Sequence, residues 1–228
     1  MPGFRVARRG RFLIADLGVP HRLVSWAIVR GGQVEGRTVA WCHVDDRELA
    51  PPVDARTFLE ARLAEAGLEE AVGLMTGASL DAYVDVTRAR GEAFVRCLAT
   101  VGLENALRAG DEPGAGAHPG TINLLCQLSS LASDEALLEA LALAAEARAL
   151  TVLEAGIRSR QSGRAASGTG TDCIVIAAPI GGPAAGYAGK HTVLGHLVGA
   201  AVAEAVDRGV RSWLARHGAH PRAAAVVP

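Results

Sequence analysis

The chain has 228 residues, half of them hydrophobic, and a mean hydropathy of +0.22, so one sizeable domain with a large core is expected. Its 23 Lys and Arg nearly balance 24 Asp and Glu, and aromatic residues make up only 4%. This composition argues against capture of nucleic acid or of an anionic membrane by charge, and against stacking on bases.

Four cysteines lie in or beside apolar runs without CxxC spacing, which predicts buried free thiols in a reducing compartment: Cys42, Cys97, Cys126 and Cys173. The N-terminal stretch does not have the pattern of a secretory signal, and no apolar run is long enough to cross a membrane. We therefore expect a cytoplasmic protein without a membrane partner.

Short apolar or β-branched runs in the first third predict strands, at residues 11–16, 22–29, 37–44 and 71–76. Gly31-Gly32 is suited to a turn between the second and third runs. Asp54 is placed to cap a helix that ends near Ala66. Further on, residues 81–101 predict a hairpin with its turn at Arg90-Gly91.

In the second half, Gly-rich polar loops alternate with apolar elements. The loops cover residues 109–120, 156–170 and 180–191. Between them we expect a strand over residues 121–128, a helix from Ser133 to about Gly156, and a strand over residues 173–179. A long helix follows the third loop, and the tail after His217 is expected to fray.

These elements predict a single α+β domain over residues 1–228, with its core at about residues 10–217. The sheet is expected to be mixed and mostly antiparallel, packed by about three main helices. A helix–strand–helix unit is expected late in the chain.

The stretch "SGTGTD" at residues 167–172 directly precedes an apolar strand. Gly168 and Gly170 allow backbone N–H groups to converge on one point, as in an anion nest or an oxyanion hole. The alternative is a tight turn in which Asp172 only stabilises the bend. The stretch lacks the spacing of a Walker A or a Rossmann motif.

The stretch "YAGKHT" at residues 187–192 opens the last helix. His191 or Thr192 can cap that helix, but a helix N-terminus also favours a developing negative charge. His191 and His196 are about 140° apart around a helix, so they do not face one metal ion, and we predict no metal ligands.

The helix after Ser133 shows an apolar stripe of Leu138, Leu141, Ala145, Ala149 and Val152. Arg148 lies close to this stripe and Glu146 at its flank. Either Arg148 extends its head to solvent and Glu146 is solvated, or the two pair at the edge of a pocket.

Asn123 lies within the apolar run "TINLL" and must find hydrogen-bond partners if it is buried. Local hydrogen bonding is the simpler interpretation. Contact with an amide of a substrate is the alternative.

Taken together, several motifs resemble the adenosylcobinamide amidohydrolase family over roughly residues 20–210. They occur in the order "LVSWAIVRGGQVEGRTVAWCHV", "TVGLENALRAGD", "GTINLL", "AEARAL", "GTGTDCIVIA" and "YAGKHTVLGHLVGAAVAEAV". The combination of the Gly-Thr-Gly-Thr-Asp strand entrance with Tyr-Ala-Gly-x-His-Thr is the most specific part. Two positions depart from the family pattern, because Arg148 stands where Lys is expected and Lys190 where Pro is more usual.

The resemblance implies hydrolysis of the amide between the aminopropanol arm and the corrin ring of adenosylcobinamide. The products would be adenosylcobyric acid and aminopropanol, formed during salvage or remodelling of corrinoids. The corrinoid is the substrate, and no cofactor is predicted. A homodimer is one oligomeric state compatible with the sequence.

Amide hydrolysis requires an activated nucleophile, an oxyanion site and a proton for the leaving amine. We predict Asp172, His191 and Glu146 as catalytic residues. Predicted substrate-binding residues are Thr121, Asn123, Arg148, Gly168, Thr169, Gly170, Thr171 and Tyr187.

Two other functions remain open. One is an amidase or N-terminal-nucleophile-type hydrolase of another substrate, which cleaves itself before Thr169 or Thr171. The other is a corrinoid-binding module without catalysis. The Asp-x-His-x-x-Gly pattern associated with base-off corrinoid binding is absent from the sequence, which weakens the second alternative.

Overall fold

The computed structural model describes residues 3–114, 120–181 and 184–218. Its strands are β1 Arg5–Arg9, β2 Phe12–Ser25, β3 Gly32–His43, β4 Val72–Thr76, β5 Val84–Arg90, β6 Ala93–Val101, β7 Ala106–Leu107, β8 Ile122–Leu128, β9 Leu131–Ala132, β10 Gly168–Thr169, β11 Cys173–Pro179 and β12 Ala184–Ala185. Its helices are α1 Ala55–Glu65, α2 Asp134–Glu154 and α3 Val193–His217, with short 3₁₀ turns at Asp46–Leu49 and Leu80–Ala82. The predicted α+β class with three main helices is confirmed.

One mixed sheet of eight strands forms the centre, in the order β4-β3-β2-β11-β8-β6-β5, with β1 paired to part of β2. Most neighbours are antiparallel, but β3 pairs with β4 and β8 pairs with β11 in parallel. Parallel neighbours need a crossover, and α1 and α2 provide these two. The predicted helix–strand–helix unit is therefore α2, β11 and α3.

The sheet curls strongly. The Asn123 side chain at the start of β8 donates to the Met75 carbonyl of β4 at 2.7 Å, although three strands lie between β8 and β4 in the sheet order. In a flat sheet four strand spacings amount to about 19 Å. An apolar core lies between the two halves and combines Trp41 and Leu74 from one half with Leu98, Leu125 and Val175 from the other.

Helices cover both outer faces of the curled sheet. Helices α2 and α3 pack on β5, β6, β8 and β11, and α1 packs on β2 to β4. All seven residues of β8 are buried, because its two faces meet the helical layer and the interior. The four cysteines are buried free thiols, as predicted.

Local signals place most helix ends correctly. Asp54 accepts from the Thr57 N–H and Ser133 accepts from the Ala136 N–H, which satisfies first-turn donors of α1 and α2. Thr192, one of the two predicted caps, accepts from the Gly195 N–H at the start of α3. The predicted hairpin is β5–β6, with Gly91 at a φ of 60° in its turn.

The first third differs from the prediction in two ways. The run at 11–16 and the first half of the run at 22–29 belong to one strand, β2, which continues through an irregularity between Asp16 and His21. Strand β1, which is not among the predicted strands, pairs with the first half of β2. The predicted frayed tail lies outside the described residues, apart from Gly218.

Candidate functional site

The loop that carries Gly168–Thr171 runs along the edge formed by the starts of β8 and β11. Strand β10 of this loop pairs with β7, and the Gly170 N–H donates to the Asn105 carbonyl at 3.2 Å. Cys173 lies opposite Asn123 in the β11–β8 register, which puts Asp172 beside Ile122. The "SGTGTD" stretch is thus held between two strands and the C-terminal half of α2.

The Asp172 carboxylate lies inside this loop, with only 5% of its side chain exposed. It forms an ion pair with Arg148 of α2, whose side chain is 15% exposed. It also accepts the Ile122 N–H and the Thr169 N–H, both at 2.9 Å, and the Thr169 hydroxyl. Four donors saturate the two carboxylate oxygens, so Asp172 holds α2, β8 and the loop together.

Burial raises the pKa of the Asp172 carboxyl, and Arg148, Thr169 and the Ile122 N–H oppose that rise by stabilising the charged form. Burial and the neighbouring Asp172 charge raise the pKa of the Cys173 thiol to about 12. Since the nucleophile of cysteine chemistry is the thiolate, Cys173 is unsuited to that role near neutral pH.

The anion surrounded by the Gly-rich loop is therefore the protein's own carboxylate. The predicted oxyanion site would need free N–H groups, but those of Thr169, Gly170 and Thr171 donate to Asp172, Asn105 and the Thr169 hydroxyl. A Cβ atom on Gly168, whose φ is +157°, would overlap Arg148 and Asp172. Glycine is required here because the ion pair fills the space that a side chain would occupy.

Thr121 and Asn123 are buried next to this cluster. The Thr121 hydroxyl donates to the Thr171 carbonyl at 2.9 Å, and Asn123 donates to Met75 as described above. Asn123 is 1% exposed. The structure thus satisfies the Asn123 amide within the protein, through distant Met75 rather than a local partner alone, and its contact with substrate stays a prediction.

Replacing Asn123 with Ala is expected to lower the free energy of unfolding by about 1–3 kcal/mol, because the Met75 carbonyl loses its donor inside the core. Urea denaturation measures this change. Gln33→Ala on the exposed part of β3 is the control, and a change within about 0.5 kcal/mol is expected for it. Unchanged stability with a raised KM would instead indicate contact with substrate.

The other predicted catalytic residues lie elsewhere, along the contact of α2 with the loop before α3. Glu146 pairs with Lys190, and both side chains are more than half exposed. His191 is exposed, and Tyr187 is 71% exposed. No described hydrogen bond or ion pair joins His191 or Glu146 to Asp172, so the structure does not bring the three predicted catalytic residues together.

The proposed Glu146–Arg148 pair is wrong, because each residue has a different partner. The predicted stripe on α2 is right only in part. Val152 is buried, and Leu141 and Ala145 pack against the core, but Leu138 is 53% exposed, while Leu137, Ala140 and Ala144 are buried. Apolar residues occur on most sides of this Ala-rich helix. The hydrophobic periodicity therefore did not distinguish the predicted face, which contains Leu138, from the buried face, which contains Leu137 and lies about 100° away. Arg148 follows Ala144 by one turn and therefore lies on the buried face.

A polar cleft of about 370 Å³ opens where the end of α3 approaches β1, β3 and the turn after β4. Its walls include Arg8, His43, Asp81, Glu104, Trp213 and His217. None of these was predicted as a site residue. Glu104 belongs to the family-like stretch "TVGLENALRAGD", which was the one available signal for it.

Hydrogen bonds connect the Asp172 cluster to the backbone that packs against Glu104. The Gly102 N–H donates to the Thr121 carbonyl at 3.0 Å, and the Thr171 hydroxyl donates to the Gly120 carbonyl at 3.3 Å. Glu104 fits between Gly102 and Gly120, since a Cβ on either glycine would come within 3.0 Å of its Oε2. The Gly-rich loop thus contacts the backbone that packs against Glu104, while its own residues do not line the cleft.

Across residues 3–114, 120–181 and 184–218, no three His, Cys, Asp or Glu side chains converge as ligands for a metal ion. Within the same ranges, none of the helices combines the length and the apolar character needed to cross a membrane.

The curled mixed sheet, its two helical layers and the polar region at the strand ends define a single-domain α+β protein with a candidate site region among the described residues. A model of the adenosylcobinamide amidohydrolase family matches residues 2–218. The chain therefore belongs to that family, and the family predicted from the motifs is confirmed.

Two curated relatives illustrate the similarity. An adenosylcobinamide amidohydrolase of Halobacterium salinarum is 33% identical over 166 residues, which cover 68% of this chain and 66% of the relative. An uncharacterized protein of Methanocaldococcus jannaschii is 28% identical over 158 residues, which cover 60% of this chain and 62% of the relative. The chain thus matches slightly less than two thirds of the length of each.

Proposed function

We propose that this protein hydrolyses the amide between the aminopropanol arm and the corrin ring of adenosylcobinamide. The products are adenosylcobyric acid and aminopropanol, and the reaction serves corrinoid salvage or remodelling. The family match over residues 2–218 carries this proposal. The name of the Halobacterium relative supports it.

The position and chemistry of the site region agree with such a substrate. The cleft has polar walls and about 370 Å³ of space, enough for a short amide arm but not for a whole corrin ring. In this proposal the arm enters the cleft and the ring stays at its mouth. Asp172 and Arg148 act as positioning residues, since they hold the loop whose Thr171 hydroxyl binds Gly120, which packs against Glu104 of the cleft wall.

Incubation of the purified protein with adenosylcobinamide tests the proposal, with mass spectrometry to detect adenosylcobyric acid and free aminopropanol. Appearance of both products at equal amounts is expected. A corrinoid spectrum that stays with the protein through gel filtration without any product would indicate a binding module instead. If the mass of the purified protein shows cleavage before Thr169 or Thr171, the self-processing hydrolase is favoured instead.

Glu146→Gln tests whether Glu146, which is predicted as a catalytic residue, protonates the leaving amine. Glu146 is more than half exposed, and its described partner is Lys190. We expect turnover within about threefold of wild type and a stability change of at most about 1 kcal/mol, since exposed ion pairs contribute little. A loss of kcat of about 100-fold or more would restore Glu146 to the catalytic set.

A further inference from the structure

Glu104 and His217 form a pair at the wall of the cleft, and neither is among the site residues predicted from the sequence. Glu104 lies in the connection between β6 and β7, and His217 ends α3. His217 Nε2 lies 3.5 Å from Glu104 Oε1, and the two side chains are 41% and 32% exposed. Both residues line the cleft.

Hydrogen bonding to the rest of the protein determines which nitrogen of His217 carries a proton. His217 Nδ1 lies 2.9 Å from the Trp213 carbonyl, which can only accept, so Nδ1 must be the donor. In the neutral ring Nε2 is then unprotonated and faces a carboxylate oxygen. The Glu104–His217 pair is therefore complete only when it holds one further proton, either on Nε2 or on the carboxyl.

Glu104 itself is fixed in position but incompletely paired. Trp213 Nε1 donates to Oε1 at 2.8 Å, whereas Oε2 is buried and has no hydrogen-bond partner among the described residues. A buried carboxylate oxygen without a donor is rare in folded proteins and requires an explanation. Because Oε2 is closed off from solvent, the oxygen that can exchange a proton with a water in the cleft is Oε1, which keeps a free lone pair beside the Trp213 donor and faces His217 Nε2. Asp172, with its four donors, is the opposite case.

We propose that Glu104 and His217 are the proton-transfer residues of the amide hydrolysis, acting on an amide bound in the cleft. This inference rests on the proposed function and assigns its site. The Glu104 carboxylate takes a proton from a water molecule while the water oxygen bonds to the amide carbon. Protonated His217 gives its Nε2 proton to the amide nitrogen, and the C–N bond breaks.

The products of this step are a carboxylic acid and a free amine. The proton on Glu104 then passes to His217 across the 3.5 Å gap and restores the starting pair. One water is consumed for each amide, and no oxidant, reductant or other reactant is needed. Trp213 keeps the carboxylate in place during the exchange through its hydrogen bond to Oε1.

Steady-state kinetics of Glu104→Gln and His217→Gln test this assignment. The amide introduced by Glu104→Gln keeps an oxygen that can accept from Trp213, so the fold is expected to persist, which thermal unfolding checks. We expect kcat to fall by about 100-fold or more in each variant, with KM within about threefold, since general acid–base groups contribute that much. Addition of formate to the Glu104→Ala variant is expected to restore part of the lost rate, which a purely structural role would not produce.

Two variants serve as matched controls. His196→Gln makes the same change at an exposed position of α3, and Glu70→Gln removes an exposed carboxylate that pairs with Arg30. Both are expected to keep kcat within about twofold of wild type.

Each result has a definite meaning. If the wild type turns over adenosylcobinamide and either Glu104→Gln or His217→Gln does so at a similar rate, the assignment of these two residues is overturned. The proposed function then still stands. If Glu104→Gln fails to fold, His217→Gln decides alone, because its side chain lies at the rim of the cleft. Wild type without turnover of adenosylcobinamide overturns the proposed function, and the assignment with it.

Discussion

Gly168→Ala is expected to lower the free energy of unfolding by about 3–5 kcal/mol and to abolish turnover. The new Cβ atom would overlap Arg148 and Asp172, and a φ of +157° is strained for any residue with a side chain. To relieve this overlap, Arg148 and Asp172 must move apart. Breaking a buried ion pair lowers stability by about 3–5 kcal/mol. Urea denaturation and the turnover assay measure the two effects.

Gly199→Ala is the matched control for this substitution. Gly199 lies within α3, and nothing lies within 4 Å of the position of an added Cβ. Alanine is favoured over glycine inside a helix by about 0.5–1 kcal/mol, so this variant is expected to be slightly more stable than wild type. A Gly168→Ala protein as stable as wild type would show that the loop adapts without the ion pair.

Asp172→Asn is expected to cost about 3–5 kcal/mol, because it leaves the Arg148 guanidinium largely buried without a counter-charge. The double variant Asp172→Asn, Arg148→Met removes both charges and keeps the apolar stem, so it is expected to recover part of the loss. A double-mutant cycle with urea denaturation measures the coupling between the two residues. Full additivity of the two single changes would contradict a stabilising pair.

Activity measurements on Asp172→Asn and on the double variant separate a positioning role of Asp172 from a catalytic role. If Asp172 only holds the loop, the activity that Asp172→Asn loses should return partly in the double variant. If stability is unchanged while kcat is lost, Asp172 acts in the chemistry as the sequence predicts. Arg148→Lys keeps the positive charge that the family pattern has at this position, and we expect it to retain most of the activity.

The candidate site consists of two parts with different properties. Asp172 and Arg148 are buried, and their charges are matched by fixed donors, so they stabilise the geometry of the loop. Glu104 and His217 are partly exposed in a cleft, and Glu104 Oε2 has no hydrogen-bond partner within the described part of the chain. Rigid support beside an incompletely saturated acid–base pair is an arrangement suited to proton transfer at a fixed position.

Local patterns in the sequence were sufficient for most elements. The buried strands at residues 121–128 and 173–179 agree with β8 and β11 to within one residue, because short apolar runs between Gly-rich loops have few other interpretations. Caps at Asp54, Ser133 and Thr192 are local interactions over three residues and are equally visible in the sequence. The family was also apparent, since its motifs are short stretches in a defined order.

Tertiary structure alone decided which polar residues meet. The curl of the sheet brings Asn123 to Met75, and the crossover of α2 brings Arg148 to Asp172 rather than to Glu146. Glu104 and His217 are 113 residues apart, and neither shows a local pattern that would connect them. Contacts between distant segments depend on how the sheet twists and on which helix face is buried, and an alanine-rich helix such as α2 does not specify that face by its periodicity.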